Sequence, residues 1–172
     1  DDALALGVAM LERAKSQGVR ISFDPNLRPQ LMSVDKARTA FAPFLVAADV
    51  LIPTADELIQ LMDAETLDDA LASLHEINPN CMVVLTQGAD GCRVYEDGDS
   101  VDVAGYVVTE VDPTGAGDCF DAGFLTAWLA GKSAVDAARW ANACGALAVT
   151  QQGPMAGAAT TEQVEAFLQT NA

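Results

Sequence analysis

The segment that most restricts the fold of this chain runs from Asp112 to Asp118 and reads Asp-Pro-Thr-Gly-Ala-Gly-Asp. It leads into an apolar run over 120–130 that has the character of a buried helix. Because proline has no N–H to donate within a central strand, the strand before it is predicted to end near Val111. Thr114 is predicted to cap the helix that follows. The segment therefore predicts a strand, a tight turn and a helix in that order.

The turn in this segment is suited to binding an anion. Gly115, Ala116 and Gly117 carry almost no side chain, so a ligand can approach the backbone closely. The first N–H groups of a helix lack internal partners and carry partial positive charge. Asp118 places a carboxylate beside this site, where it repels a bound phosphate unless it has a task such as taking a proton from an attacking hydroxyl group. A purely structural alternative is a glycine-rich turn in which Asp118 complements the helix dipole.

The rest of the chain alternates between helical and extended patterns. Helices are predicted over 3–17, 34–44, 67–77, 120–130 and 133–149, with two more opening at the capping-box pairs Thr54/Glu57 and Thr160/Gln163. Strands are predicted over 19–24, 48–52 and 81–86, followed by a short antiparallel hairpin. This alternation predicts a single α/β domain over 1–172, with three layers and a mainly parallel sheet flanked by helices.

Composition and charge disfavour several classes of function. The net charge is −16 with only nine Lys and Arg, which argues against a nucleic-acid-binding surface. No stretch approaches the ~20 apolar residues that a membrane helix needs. The phosphate-loop pattern GxxxxGK[ST] is absent, so the chain is not a P-loop NTPase.

The cysteines and the single histidine point away from metal and disulfide chemistry. The four cysteines have no CxxC spacing, which favours reduced thiols in a cytoplasmic protein. With a single histidine, His75, and no pair of closely spaced cysteines, a zinc site or a histidine-based catalytic triad is improbable. Cys119 lies near a helix start, a position that can lower the pKa of a thiol, although reduced core thiols remain the default interpretation.

Two further segments follow predicted strands, at the edge of an α/β sheet where ligands gather. The first, Asp24-Pro25-Asn26-Leu27-Arg28-Pro29, offers the Arg28 guanidinium to a carboxylate or phosphate, although an ordinary proline-bounded loop explains it equally well. The second, from Thr86 to Gly91, has the pattern TxGxxG, which alone is weak and usually marks a hairpin turn.

The run from Asp112 to Asp118, with Phe120, Ala122, Gly123 and Phe124 after it, closely resembles the C-terminal signature of the PfkB/ribokinase family of sugar kinases. The resemblance extends over essentially the whole chain and implies a ribokinase-like fold. It implies ATP-dependent phosphorylation of a sugar hydroxyl group, with Asp118 as general base. It also implies that the N–H groups of Gly115, Ala116, Gly117 and Asp118 stabilise the transferring phosphoryl group, with Mg²⁺ bridging the phosphates.

The resemblance also assigns roles to residues outside the central segment. The Asp24–Pro29 run resembles that of 2-keto-3-deoxygluconate kinases and fructokinases, where the matching Arg, here Arg28, faces the substrate or the transferred phosphate. Glu57 matches a family residue that organises Mg²⁺ through water, whereas Thr54 departs from the family's Asn. Implied nucleotide contacts are Thr86, Gly88, Ala89, Gly91, Gly117 and Asn142. Implied ligands of a monovalent cation such as K⁺ are Asp112, Thr114 and the carbonyl groups of Ala148, Gln151 and Gly153.

The resemblance leaves the substrate and the completeness of the chain open. The expected substrate is the sugar acid 2-keto-3-deoxygluconate, with fructokinase or ribokinase specificity as the alternative. Members of the family usually carry an additional N-terminal half with a lid, which we expect this chain to lack. The family's dimer contacts usually involve that lid, so the resemblance allows a homodimer for the full-length form, and the sequence leaves the oligomeric state open. A different class of function is a truncated module that binds ATP without transferring phosphate; Asp118, which binding alone does not require, argues against it.

Overall fold

The computed structural model describes residues 2–171, in which helices and strands alternate as predicted. The helices are α1 (Asp2–Ser16), α2 (Val34–Ala47), α3 (Ala55–Met62), α4 (Leu67–Ile77), α5 (Ala116–Leu129), α6 (Ala134–Ala148) and α7 (Thr161–Thr170). The strands are β1 (Ser22–Phe23), β2 (Val50–Leu51), β3 (Met82–Thr86), β4 (Gly91–Glu96) and β5 (Asp99–Ala104), and their order in the sheet is the order in the chain. This is the predicted α/β architecture.

The chain divides into two compact units, and the first comprises the residues through Thr86 together with Tyr95–Asp99. Here β1, β2 and β3 pair in parallel, with Ser22 opposite Val50 and Val50 opposite Met82. The core between these strands and helices α2, α3 and α4 is formed by Leu45, Leu51, Leu58, Ala70, Leu74, Val83 and Leu85. Since the strands are parallel, their carboxyl ends share one edge, where the Asp24–Pro29 loop and the start of α3 follow.

Strands β1 and β2 are shorter than the predicted strands over 19–24 and 48–52. Prolines limit both, because Pro25 and Pro53 follow them closely and neither has an N–H to extend the ladder. At the other end, the Ile21 N–H donates to the Asp49 carboxylate at 2.7 Å instead of to a strand carbonyl. A side chain therefore terminates the ladder on that side.

The second unit comprises Gln87–Val94 and the residues from Ser100 onward. Its centre is the contact between α5 and α6, where a Cβ on Gly123 would lie 2.6 Å from the Cys144 sulfur and 3.2 Å from the Ala141 Cα. The small residues of α6 thus allow close packing against α5. Among residues 2–171, no helix has both the length and the apolar character needed to cross a bilayer.

Candidate functional site

The start of α5 forms a sharper turn than predicted. Gly115 is the N-cap residue, with φ 84° and ψ 1°, and the helix begins at Ala116 rather than at Phe120. Thr114 is therefore not the cap, which corrects the prediction: no side chain caps this helix, and the Thr114 N–H donates to the Asp112 carboxylate at 3.0 Å. The left-handed φ is the cause, since it turns the chain into the helix one residue after Thr114 and suits glycine.

The backbone donors of this turn divide into occupied and open groups. The Ala116 N–H donates to the Pro113 carbonyl oxygen at 3.2 Å, and the Cys119 N–H donates to that of Gly115 at 2.9 Å. Within residues 2–171, the N–H groups of Gly117 and Asp118 have no hydrogen-bond acceptor. Gly117 and the Asp118 side chain are exposed. The turn therefore presents open donors and a carboxylate to solvent, with Ala116 removed from the predicted set of donors.

Asp112 ties this turn to the loop after α6. One oxygen of its carboxylate accepts the Thr114 N–H, and the other accepts the Gly153 N–H at 2.8 Å. Hydrogen bonds from Thr114, and then from the Gly153 N–H, hold the pKa of Asp112 below its usual range. The structure thus brings together Asp112, Thr114 and Gly153, which the resemblance implies as ligands of a monovalent cation. Gly153 contacts Asp112 through its N–H group, however, and not through the carbonyl oxygen that is the implied ligand.

Pro154 in the same loop supports the turn, and the sequence analysis did not single it out. A Cβ on Gly115 would lie 2.3 Å from the Pro154 carbonyl oxygen, so the two backbones are in direct contact. Of the other implied cation ligands, the Ala148 carbonyl oxygen accepts the Gln151 N–H at 3.4 Å. Backbone contacts of this kind leave no local sequence signal beyond the glycine and proline content of the loop.

The TxGxxG segment folds as a tight turn into β4. Gly88–Asp90 form one turn of 3₁₀ helix, and the Gln87 N–H donates to the Gly91 carbonyl oxygen at 2.8 Å. Gly91 is buried, with φ 103° and no room for a Cβ, whereas Gly88 and Ala89 are exposed. The turn explains the glycines structurally, and nucleotide contact by Thr86, Gly88, Ala89 or Gly91 stays a prediction.

Asn142 is buried in the centre of α6, with 6 % of its surface exposed. Its side-chain amide donates to the carbonyl oxygens of Val103 at 3.0 Å and Ala104 at 3.1 Å, which anchors β5. Both amide protons are thereby used. A contact of this side chain with a nucleotide stays a prediction, and the structure gives Asn142 a separate reason to be present.

In the first unit, Arg28 lies exposed after β1. Its Nη1 donates to the Leu27 carbonyl oxygen at 3.1 Å, and within residues 2–171 no carboxylate forms an ion pair with it. Few cations are available in this acidic chain, so an exposed guanidinium without a carboxylate partner is suited to an anionic or polyhydroxylated ligand.

Glu57 forms the predicted capping box with Thr54 and makes one contact that the sequence did not reveal. Its Oε2 accepts the N–H and the hydroxyl group of Thr54, both at 2.9 Å. Its Oε1 accepts the N–H of Leu27 at 2.8 Å, across 30 positions of the chain. No group of three or more His, Cys, Asp or Glu side chains in the described part of the chain is arranged to hold a metal ion.

The cysteine thiols are less acidic than free thiols, which corrects the expectation for Cys119. Burial raises the pKa of Cys81 and Cys92 to about 12 and that of Cys144 to about 11. Burial, and then the neighbouring Asp118 carboxylate, raise the pKa of Cys119 as well. Burial of this thiol and, after it, the negative charge of Asp118 outweigh the helix start, because both disfavour the thiolate.

These pKa values predict slow thiol alkylation in the folded chain. With a pKa of 11 or more, about 0.1 % or less of a thiol is ionised at pH 8, so iodoacetamide should modify Cys81, Cys92 and Cys144 far more slowly than in urea. Because the pKa values are raised, the rates should keep increasing as the pH rises above 9. Mass spectrometry of the alkylated peptides measures this, and a Cys92 that reacts equally fast with and without urea would contradict it.

Comparison with known proteins gives consistent matches along the chain. A sequence model described as pfkB family carbohydrate kinase matches residues 2–161. A fructokinase from Vibrio alginolyticus is 37 % identical over 166 residues, which cover 92 % of this chain and 53 % of that protein. The chain therefore spans about half the length of this relative.

Solved structures give the same result for the fold. A candidate ribokinase II from E. coli, in complex with ATP and Mg²⁺, superposes with a TM-score of 0.86 at 36 % identity, over 93 % of this chain and 52 % of that one. A fructokinase from Vibrio cholerae O395, bound to fructose, ADP and calcium ion, gives 0.84 at 33 % identity, over 93 % and 54 %. The ribokinase-like fold expected from the resemblance is thus confirmed, whereas these relatives are not 2-keto-3-deoxygluconate kinases.

Proposed function

The chain belongs to the pfkB family of carbohydrate kinases, and from this membership we propose that its protein transfers the γ-phosphoryl group of ATP to a sugar hydroxyl group. The observation that carries the proposal is the exposed Asp118 carboxylate beside the open backbone donors at the start of α5. A site that only binds an anion needs no carboxylate. A general base, by contrast, must lie next to the phosphoryl group, because it deprotonates the hydroxyl group that attacks there.

In this mechanism Asp118 takes the proton of the acceptor hydroxyl group. The alcohol oxygen then bonds to the γ-phosphorus as the bond from that phosphorus to the oxygen bridging it to the β-phosphate breaks, and ADP leaves. The N–H groups of Gly117 and Asp118, together with the dipole of α5, stabilise the charge on the transferring group. Ala116 contributes through the dipole only, because its N–H is held by Pro113. Catalysis here is mainly positioning and electrostatics.

The resemblance implies Mg²⁺ and a monovalent cation, and the residues of this chain suit the two ions in different ways. When bound with ATP, Mg²⁺ neutralises charge on the phosphates. With no cluster of three acidic ligands among residues 2–171, phosphate oxygens and water would supply most of its ligands, as is usual for this ion. For a monovalent cation, the Asp112 carboxylate, which accepts the Gly153 N–H, would supply one oxygen ligand, and carbonyl groups of the loop after α6 would supply others.

Two sugars are candidates for the acceptor of the phosphoryl group, and a different observation favours each of them. Fructose is favoured by the fructokinases among the relatives. 2-Keto-3-deoxygluconate is favoured by Arg28, since an unpaired guanidinium binds a carboxylate strongly and a neutral sugar only through hydrogen bonds. We propose a keto sugar or keto-sugar acid as acceptor, with Arg28 facing it.

The test is ADP release from Mg-ATP, with K⁺ present, in separate reactions with fructose, 2-keto-3-deoxygluconate and ribose. It is run on this chain and on the protein at the length its gene encodes. Turnover on one acceptor would support the kinase and identify its substrate. If ATP binds but no acceptor is phosphorylated, the alternative of a binding module replaces the proposal.

A further inference from the structure

The geometry points to Glu57 as a positioning residue that holds the Arg28 loop (residues 24–29) in its binding conformation. This inference rests on the proposed function in one respect, namely that Arg28 contacts the acceptor. It differs from the metal-organising role that the family resemblance implies for Glu57, because it assigns the carboxylate to the backbone of this chain.

The Glu57 carboxylate is largely occupied by donors from the protein. It accepts the Leu27 N–H on Oε1, and the Thr54 N–H and hydroxyl group on Oε2, at 2.8–2.9 Å. A carboxylate has about four acceptor positions, so three of them are filled. Hydrogen bonds to an ionised acceptor are about twice as strong as neutral ones, and the bond from the Leu27 N–H is partly buried, where screening by water is reduced.

The helix that carries Glu57 is itself fixed to the sheet. Thr54 pairs with Thr86 in a parallel bridge beyond β2 and β3. The N–H of Thr86 also donates to the Pro53 carbonyl oxygen at 2.9 Å. The Leu27 N–H is therefore bonded to a group on a rigid element, which is the condition for a side chain to hold a loop in place.

The Arg28 loop needs such support because its backbone is strained. Asn26 has φ 37°, a left-handed value that costs energy for any residue other than glycine. The Asp24 carboxylate accepts the Asn26 N–H at 2.8 Å on one side of the strained residue, and Glu57 accepts the Leu27 N–H on the other. The left-handed turn is thus stabilised by a carboxylate before it and a carboxylate after it.

Arg28 follows directly and is held on its far side as well. Its carbonyl oxygen accepts the N–H groups of Leu31 at 2.8 Å and Met32 at 3.1 Å. The backbone at Arg28 is therefore fixed at both ends, while its side chain remains exposed. Loss of the bond between Glu57 and Leu27 would release one end, and the guanidinium would then sample directions that do not meet the acceptor.

The first experiment tests the anchor without any assay of activity. Glu57→Gln keeps the shape of the side chain but loses the charge and one acceptor atom, so we expect amide exchange in the Arg28 loop, Leu27 above all, to become at least tenfold faster. The matched control is Asp56→Asn, which removes a neighbouring exposed carboxylate from the same helical turn and should leave this exchange unchanged. Equal exchange in Glu57→Gln and the parent protein would overturn the inference.

The second experiment separates positioning from metal binding. Glu57→Gln and Arg28→Ala should each raise the KM for the acceptor about tenfold. In Arg28→Ala, the KM for ATP and the Mg²⁺ concentration for half-maximal rate should stay within twofold of the parent values. The double variant should have an acceptor KM no higher than that of the more impaired single variant, because both changes remove the same contact between Arg28 and the acceptor. Effects on the acceptor KM that multiply in the double variant would overturn positioning, and so would a Glu57→Gln variant that changes only the Mg²⁺ requirement. If the parent protein phosphorylates no sugar, the proposed function fails and the exchange experiment alone decides.

Discussion

Replacing Asp118 with asparagine should lower kcat by about 10²–10⁴-fold while leaving the affinity for ATP nearly unchanged, since a positioned general base contributes that much to a rate. Asparagine fills the same space at the start of α5 but cannot accept a proton. The open N–H groups of Gly117 and Asp118 do not depend on the carboxylate, so the phosphate site should survive. Steady-state kinetics on the acceptor that the protein phosphorylates, with calorimetric titration of ATP, measure the two quantities separately.

The control for this substitution is Asp56→Asn, which also removes an exposed carboxylate from the first turn of a helix. It should alter the helix dipole interaction similarly and leave kcat unchanged. An Asp118→Asn variant that retains more than a tenth of the parent rate would refute the assignment of the base. A large loss of ATP affinity with little loss of kcat would assign Asp118 to binding instead.

Features fixed by neighbours in sequence were predicted accurately. Helix α4 was predicted over 67–77 and is observed as Leu67–Ile77, because Thr66 caps its start and a proline follows its end closely. The capping boxes at Thr54 and Thr160 were also predicted and are present. Each depends on residues within one helical turn, so the sequence contains the whole signal.

Features fixed across long separations were missed. The apolar pattern predicts a start of α5 at Phe120 and a cap at Thr114, whereas the helix begins at Ala116 after the left-handed turn at Gly115, which is supported by Pro154 in a distant loop. The capping box at Glu57 was recognised, but its bond to Leu27 was not, since nothing within a helical turn of Glu57 indicates a partner 30 positions away. The residues of the site could thus be nominated from motifs, whereas the contacts that hold them required the fold.

Gly115→Ala should be the most disruptive single-atom change in the turn that holds Asp118. The new Cβ would lie 2.3 Å from the Pro154 carbonyl oxygen, and φ at this position is 84°. The left-handed conformation costs alanine about 1 kcal/mol. Forcing a methyl group against a fixed backbone adds roughly 1–3 kcal/mol. We therefore expect the free energy of unfolding to fall by about 2–4 kcal/mol, measured by urea denaturation, and ATP binding to weaken as the turn and the Pro154 loop separate.

Substitutions at two other glycines separate the two contributions to this destabilisation, namely the left-handed backbone and the steric contact with Pro154. Gly131 has φ 90° with nothing near its Cβ position, so Gly131→Ala should cost about 1 kcal/mol from backbone strain alone. Gly117 has neither a positive φ nor a neighbour within 4 Å, so Gly117→Ala should leave stability within about 1 kcal/mol of the parent. The excess of Gly115→Ala over Gly131→Ala then measures the contact with Pro154. If those two variants are equally destabilised, the Pro154 loop does not support the turn, and the open N–H groups beside Asp118 are held by the α5 backbone alone.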